Sequence, residues 1–337
     1  MHYLITGHTG FKGTWLVNML KHQGHEVSGL ALDPVADSLF IKSKTKDLLS
    51  NDIRVDIRDI EKVRKSLNGY KFDVVIHLAA QALVLDSYAD PIETFNTNVI
   101  GTLNIIKVTE EVVQPKLILI ITSDKVYKNK SLRRGYNEED ELGGDDPYSA
   151  SKAAADIAAQ SYLRNFAKHP WAIARAGNVI GGGDWAANRL LPDIVRAKIN
   201  KKPIELRHPG AIRPWQHVMD CLNGYLKLVD YKLNAGSGEV WNFGPEPDLS
   251  MTVEQVTKLF LNSWGDRDTE NIVIPGELHE SQLLLLDSTK SRTKLEWSDK
   301  LDLPSTLDLT ATFYKNMLMS DFESTLSRQV SEFYKLS

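Results

Sequence analysis

Gly7-His8-Thr9-Gly10-Phe11-Lys12-Gly13 decides how the rest of this chain is read. A short apolar run, His2-Tyr3-Leu4-Ile5-Thr6, stands before it and predicts a strand. Thr14-Trp15-Leu16-Val17-Asn18-Met19-Leu20 follows and predicts a helix. Strand, glycine turn and helix together aim backbone N–H groups at a phosphate. Gly7 permits the tight turn, Gly10 lets backbone approach a pyrophosphate, and Gly13 lets helix lie on strand. The spacing is G-x-x-G-x-x-G, not the G-x-G-x-x-G of the dinucleotide fingerprint. Three glycines alone fit an ordinary structural turn equally well. Asp33 tips the reading. It ends the apolar run 27–32 about 20 residues past Gly13, where an acid would hold a ribose hydroxyl. Turn and acid together predict dinucleotide binding.

The whole chain narrows the class. Its 337 residues suffice for one large α/β domain with an annexe, or for two small domains. Lysine and arginine total 40 against 44 aspartate and glutamate, a net charge of −4. That balance leaves no footprint for a nucleic acid or a membrane surface. A single cysteine, Cys221, excludes an internal disulfide and a cysteine-rich metal site, so no metal is expected. Cys221 itself reads as a small buried hydrophobe. No apolar run reaches the roughly 18 residues of a membrane span. The first strand starts almost at Met1, so no signal peptide is expected and the expected location is cytoplasmic.

The first half alternates strands and helices. A polar stretch over 38–49 has a weak helical pattern, 53–56 predicts a short strand, 60–67 a helix and 72–78 a strongly apolar strand. Pro91 opens one long helix to about Val113, in a first turn where proline costs nothing. Another buried strand spans 116–121. Runs apolar on both faces fit a parallel sheet covered by helices on each side. The predicted architecture is α/β: a doubly wound, Rossmann-like parallel sheet with a smaller C-terminal α/β lobe. Residues 1–175, rejoined by about 211–243, are expected to bind the dinucleotide, and 176–337 to form mainly the substrate lobe.

In such sheets ligands bind where strands end. Asp56 follows one strand and either accepts from an adenine amino group or caps the next helix. Ala79-Ala80-Gln81 follow another, and their small side chains let a cofactor lie close to backbone. Thr122-Ser123-Asp124-Lys125-Val126-Tyr127 follow a third. Three polar groups in a row at a strand exit seldom serve packing, so a function is expected of them.

Asp146-Pro147-Tyr148-Ser149-Ala150-Ser151-Lys152 starts the next helix, with Asp146 suited to the cap and Pro147 to the first helical position. Tyr148 and Lys152 are then four apart on one face. A phenol has a pKa near 10 and is a poor base at neutral pH. A nearby ammonium favours the phenolate, and a nicotinamide cation adds to that. A Ser123 hydroxyl within reach could share the substrate proton. A lone Y-x-x-x-K is usually surface, but downstream of the glycine turn and the polar strand exit it reads as catalytic.

Later segments are less regular. Arg175-Ala176-Gly177-Asn178-Val179-Ile180-Gly181-Gly182-Gly183-Asp184 is a glycine-rich loop after a strand at 171–174. Arg189, Arg207 and Arg213 fall in irregular segments, where bidentate guanidinium groups suit a diphosphate. A strand ends at Trp241-Asn242-Phe243, 252–264 is an amphipathic helix, 283–286 a short strand, and 306–317 and 322–336 are helices. The C-terminal part is expected to form a lobe over the sheet edge, making a cleft.

These features resemble the extended short-chain dehydrogenase/reductase family acting on nucleotide sugars, over about residues 2–316. The glycine turn, Thr122-Ser123-Asp124-Lys125, Gly177 to Trp185 and Ala211-Ile212-Arg213-Pro214-Trp215-Gln216-His217-Val218 make it similar to the branch that dehydrates CDP-glucose. The resemblance implies a tightly held NAD, reduced and reoxidised within one turnover, and a homodimer. It implies that Tyr148 takes the C4 hydroxyl proton, Lys152 lowers the Tyr148 pKa and holds the nicotinamide ribose, and Ser123 bonds the reacting oxygen. Asp124 would protonate the departing C6 hydroxyl, and Lys125 would act at C5, directly or through water. On the cofactor it places Gly7, Thr9, Gly10, Phe11, Lys12, Gly13, Asp33, Asp56, Ile57, Leu78, Ala79, Ala80, Gln81 and Asn98. On the nucleotide sugar it places Gln81, Asn178, Arg189, Arg213, Gln216, His279 and Glu280. One departure stands out: Leu85 occupies a position where relatives carry an arginine.

Two other readings share parts of this set. A nucleotide-sugar 4-epimerase uses the same cofactor, Tyr148 and Lys152, but needs no acid at C6, so Asp124-Lys125 separates the two. A non-catalytic NAD-binding scaffold would not need Ser123, Tyr148 and Lys152 together.

Overall fold

Seven short strands line up in one sheet: β1 (His2–Thr6), β2 (Glu26–Ala31), β3 (Asn51–Arg54), β4 (Val74–His77), β5 (Leu117–Ile121), β6 (Trp171–Ala176) and β7 (Glu239–Phe243). In the computed structural model, which describes residues 1–236, 238–246, 250–265, 271–273, 283–319 and 321–336, their order is β7-β6-β5-β4-β1-β2-β3. Every pairing is parallel, with Ile5 opposite Gly29 on one side and Ile76 on the other. Successive strand residues point to opposite faces. Tyr3, Ile5, Val74, Ile76, Leu117 and Leu119 accordingly enter one core, and Leu4, Val75, Ile118 and Ile120 enter cores on the other face. That two-sided burial is why these strands read as unbroken apolar runs.

Helix α1 (Phe11–His22) and helix α5 (Val218–Ala235) cover the first face. On the second lie α2 (Ile60–Leu67), the helical run 91–113 and α3 (Pro147–Phe166). Strand order reverses between β1 and β4, which opens a crevice at the strands' carboxyl ends. Beyond β6, short pairings build the opposite wall: Val179–Ile180 with Gln216–His217, Ile204–Leu206 with Asn271–Val273, and Ile212–Arg213 with Met251–Thr252. Helix α4 (Leu190–Ile199), α6 (Val253–Trp264) and α7 (Leu303–Leu318) back that wall. Thr252 caps α6 through a capping box with Gln255. The last helix, α8 (Phe322–Lys335), turns back to the sheet: Leu326, Val330 and Phe333 share a core with Trp15 and Leu16.

The structure departs from the sequence expectations in element boundaries and in regularity. β3 begins and ends two residues early, so Asp56 falls in the turn beyond it. The run 91–113 is not one regular α-helix, because π turns interrupt it at Asn96–Gly101 and Thr109–Val113. Leu283 and Leu286 make only isolated bridges, to Ile212 and Tyr136, instead of a ladder. Among the described residues no helix is long and apolar enough to cross a membrane.

Candidate active site

The crevice is a cleft of about 1050 Å³, bounded by the glycine turn, the ends of β3 to β6 and the loops that carry Arg189, Arg207 and Arg213. That exceeds the usual 300–1000 Å³ of a drug-sized ligand site, roughly speaking, so there is room for more than one ligand.

At one end of the cleft the backbone comes very close to itself. Gly7 has φ +73°, and a Cβ there would stand 2.8 Å from the Ala79 nitrogen. A Cβ on Gly13 would stand 2.3 Å from the Gly7 carbonyl oxygen. Neither position accepts a side chain. Helix α1 starts at Gly10 with no side-chain cap, so its first N–H groups stay available at the turn. Thr9, Phe11, Ile57, Leu78, Ala79, Ala80 and Gln81 line the same end.

Asp56 also lines the cleft and is not a helix cap: Asp59 caps α2, accepting from the Lys62 N–H at 3.0 Å. Asp56 accepts from the Arg58 guanidinium at 2.6 Å, which holds its carboxyl below the usual range. Asn98 sits in a π turn behind the wall. It accepts from the Gln81 N–H at 2.9 Å and donates to the Gln81 carbonyl at 3.0 Å and the Ser151 hydroxyl at 2.8 Å. Asn98 therefore positions the wall and does not itself line the cleft. Asp33 is not among the lining residues either. Its side chain is 90% exposed beyond the end of β2, with Arg54 3.9 Å away.

The other end collects the expected catalytic groups. Asp146 caps α3, accepting from the Ser149 N–H at 2.9 Å, with Pro147 in the first turn. This start sets Tyr148 and Lys152 one turn apart, both buried and both lining the cleft. Ser123 donates to Asp124 Oδ1 at 3.0 Å and accepts from the Lys125 N–H at 3.2 Å. Asp124 Oδ2 is buried with no hydrogen-bond partner among the described residues. Burial pushes the Asp124 carboxyl up, against the opposing charges of Lys125, Arg213 and Lys12. The Lys125 ammonium stands 5.9 Å from the Tyr148 ring centroid.

Burial raises the Tyr148 phenol to about 12, while its bond with Ser123 and the charge of Arg189 pull the other way. Burial lowers Lys152 to about 8; Lys12 adds to that fall and Asp156 resists it. Desolvation is the largest influence on both members of the pair.

Asn178, Arg189, Arg207 and Arg213 line the facing wall. Arg189 pairs with Asp184 at 2.9 Å, and Arg207 donates to the Asn188 carbonyl at 3.2 Å. Gln216 does not line the cleft; its amide nitrogen donates to Asp299 Oδ1. His279 and Glu280 lie outside the described residues. Leu85 lines the cleft beside Leu83, Val84 and Tyr88, making an apolar stretch of wall.

Residues 3–244 match the NAD dependent epimerase/dehydratase family. The chain belongs to that family. Over 341 residues it is 40% identical to CDP-glucose 4,6-dehydratase of Salmonella typhimurium, a match spanning 98% of this chain and 95% of the relative. It is 29% identical over 262 residues to dTDP-D-glucose 4,6-dehydratase of Dictyostelium discoideum, covering 73% of this chain and 59% of that one. Its fold is similar to UDP-glucose 4-epimerase of Thermotoga maritima, with a TM-score of 0.83, 23% identity and coverage of 94% and 100%. It is also similar to the NAD-bound dTDP-glucose 4,6-dehydratase of Streptomyces venezuelae, with a TM-score of 0.81, 22% identity and coverage of 94% and 97%.

The residues of this epimerase/dehydratase chain fit its family's cofactor. A side chain at Gly7 or Gly13 would fill the space that backbone must keep, α1 offers uncapped N–H groups, and Ala79-Ala80 keep the neighbouring strand end low. One relationship had no local signal. The Lys12 ammonium reaches Tyr225 at 3.2 Å, and its charge acts on Asp124 and Lys152. Arg175 and Asp156, a buried pair behind the catalytic groups, were equally silent in the sequence.

Proposed function

We propose that this chain is an NAD-dependent nucleotide-sugar 4,6-dehydratase, a hydro-lyase that converts CDP-glucose to CDP-4-keto-6-deoxyglucose. The observation that carries the reading is Asp124: a buried carboxyl, pushed toward its protonated form, with one oxygen held by Ser123 and the other without a partner among the described residues. Loss of the C6 hydroxyl as water needs such an acid, and 4-epimerisation does not. The 40% identity to CDP-glucose 4,6-dehydratase supports the same substrate.

When bound, NAD supplies a hydride acceptor for C4, a hydride donor for C6, and a ring charge that favours the phenolate of Tyr148. Ser123 bonds the C4 oxygen while Tyr148 takes its proton. Lys152, still mostly protonated at neutral pH, keeps a positive charge one turn from that phenol. A 4-keto group acidifies the C5 proton, and Lys125 acts on it while Asp124 delivers its proton to the departing C6 hydroxyl. The two acid–base groups support each other. Ionised, Asp124 raises the Tyr148 pKa; protonated, it does not. Arg189 and Arg213 are suited to the diphosphate, with Asn178 beside them in the wall.

The cofactor domain comprises residues 1–175 with 211–243, and 176–337 serve mainly the nucleotide sugar. Exposed Ile92, Ile100, Ile157 and Phe166 on the neighbouring run 91–113 and α3 support a homodimer through those helices. A cytoplasmic location goes with this reading on the sequence expectation.

The test is incubation with CDP-, dTDP- and UDP-glucose, following the keto product by its absorbance in alkali. CDP-glucose should react fastest. Equal rates with all three would remove the nucleotide from the reading, and a 4-epimer without keto product would replace dehydration by epimerisation.

A further inference from the structure

An ion pair without contact to solvent lies behind the catalytic groups. Arg175 on β6 is 1% exposed and Asp156 on α3 is fully buried. The guanidinium grips the carboxylate twice, Nε to Oδ2 at 2.9 Å and Nη2 to Oδ1 at 2.7 Å. Burying two charges costs several kcal/mol per ion and is offset only by good geometry and further hydrogen bonds. Those bonds are present. Thr122 donates to Oδ2 at 2.9 Å and Gln160 to Oδ1 at 2.7 Å. Arg175 donates to the Tyr127 hydroxyl at 3.0 Å and lies 5.0 Å over its ring, and Tyr127 donates to Asn242 of β7 at 2.7 Å.

Stability alone is a weak reason for such a pair, since apolar residues of similar volume often serve as well. Its connections suggest another use. Thr122 directly precedes Ser123-Asp124-Lys125 at the exit of β5. Asp156 stands one turn past Lys152 and two past Tyr148 on α3. Arg175 precedes Gly177-Asn178, which line the cleft. One carboxylate thus joins three of the segments that carry the site.

We infer that Asp156, gripped by Arg175 and Thr122, is a positioning residue that sets the spacing between the strand exit carrying Ser123 and Asp124 and the helix carrying Tyr148 and Lys152. The inference rests on the reaction proposed above and adds the group that holds its two halves in register. Register matters because a shift of about 1 Å in a reacting group can cost on the order of 10²-fold in rate.

Asp156→Asn would leave Arg175 buried without a counter-charge and is prone to unfold, so Thr122 and Gln160 give the cleaner test. Thr122→Val keeps the branched shape and deletes the donor. It should lower kcat on CDP-glucose about tenfold or more, leave KM within about twofold and leave Tm within a few degrees. Thr122→Ser restores the donor and should recover at least about half the rate. Gln160→Met removes a bond to the same carboxylate from within α3, and kcat should stay within about twofold. An unchanged kcat in Thr122→Val, a serine variant as slow as the valine one, or an equal loss in Gln160→Met would each overturn the inference. Wild-type turnover of CDP-glucose alongside such a result sinks this inference alone; a wild type inactive on CDP-, dTDP- and UDP-glucose sinks the proposed reaction and this inference with it.

Discussion

Lys12 and Tyr225, 213 positions apart in the chain, meet at 3.2 Å between ammonium and phenol oxygen. The glycine turn thereby sends a cation from the cofactor end of the cleft toward the catalytic end. Its charge lowers both Asp124 and Lys152. Lys12→Met removes that charge, so both groups hold their protons to higher pH. The descending limb of the rate–pH profile should move upward. Initial rates of keto-sugar formation across pH check this, and an unmoved limb would detach Lys12 from the acid.

Tyr148→Phe keeps a ring of the same shape in a buried site and deletes the base. Turnover should fall by about 10²–10⁴-fold while the circular dichroism spectrum is retained. A rate near wild type would remove Tyr148 from its role.

Lys125→Met should separate the half-reactions. C4 oxidation and the accompanying cofactor reduction persist, because Ser123, Tyr148 and Lys152 are untouched. Exchange of the C5 hydrogen with deuterated water should stop, as read by mass spectrometry of recovered nucleotide sugar. Exchange at the wild-type rate would give the C5 proton to another group.

Gly13→Ala puts a methyl 2.3 Å from the Gly7 carbonyl oxygen, backbone against backbone. Something must shift, and overpacking of this kind costs about 1–3 kcal/mol. The expected result is a lower Tm together with loss of NAD retained through purification. Full retention of NAD would mean the turn is not its cradle.

Asp220 is buried, and burial pushes its carboxyl from the usual 3.8 up to about 7. The folded chain therefore binds this proton more tightly than the unfolded one. Its contribution to stability is complete below about pH 4 and is lost as pH rises through 7. Asp220→Asn removes the titration and keeps an acceptor for the Lys300 N–H, now 2.8 Å away. Between pH 5 and pH 8 the Tm difference should move in the variant's favour by a few degrees. A difference independent of pH would place the titration elsewhere.

Local patterns were legible and long-range ones were not. The glycine turn, the Thr122-Ser123-Asp124-Lys125 exit and the Asp146-capped helix each lie within a few residues, so spacing alone fixes what faces what. The surroundings of Asp33 depend on where β2 stops, which its own residues do not announce. The strand ends at Ala31, and the side chain swings into solvent near Arg54. The bond from Gln216 to Asp299 spans 83 positions and is invisible in the local sequence. The π turns in 91–113 likewise carry no composition signal. The first holds Asn98, which reaches Gln81 and Ser151 at once. Leu283 and Leu286 looked like a strand because burial, not pairing, selects their apolarity.

β7 closes the sheet beside β6 only after about sixty intervening residues, which supply the facing wall of the cleft and α5. On the ribosome, at about 5–20 residues per second, β6 therefore waits several seconds as an open edge whose carbonyls and amides could pair with another nascent chain. The vulnerable period for aggregation falls between synthesis of Ala176 and of Phe243, so a chaperone that shields this nascent chain has its greatest effect in that interval.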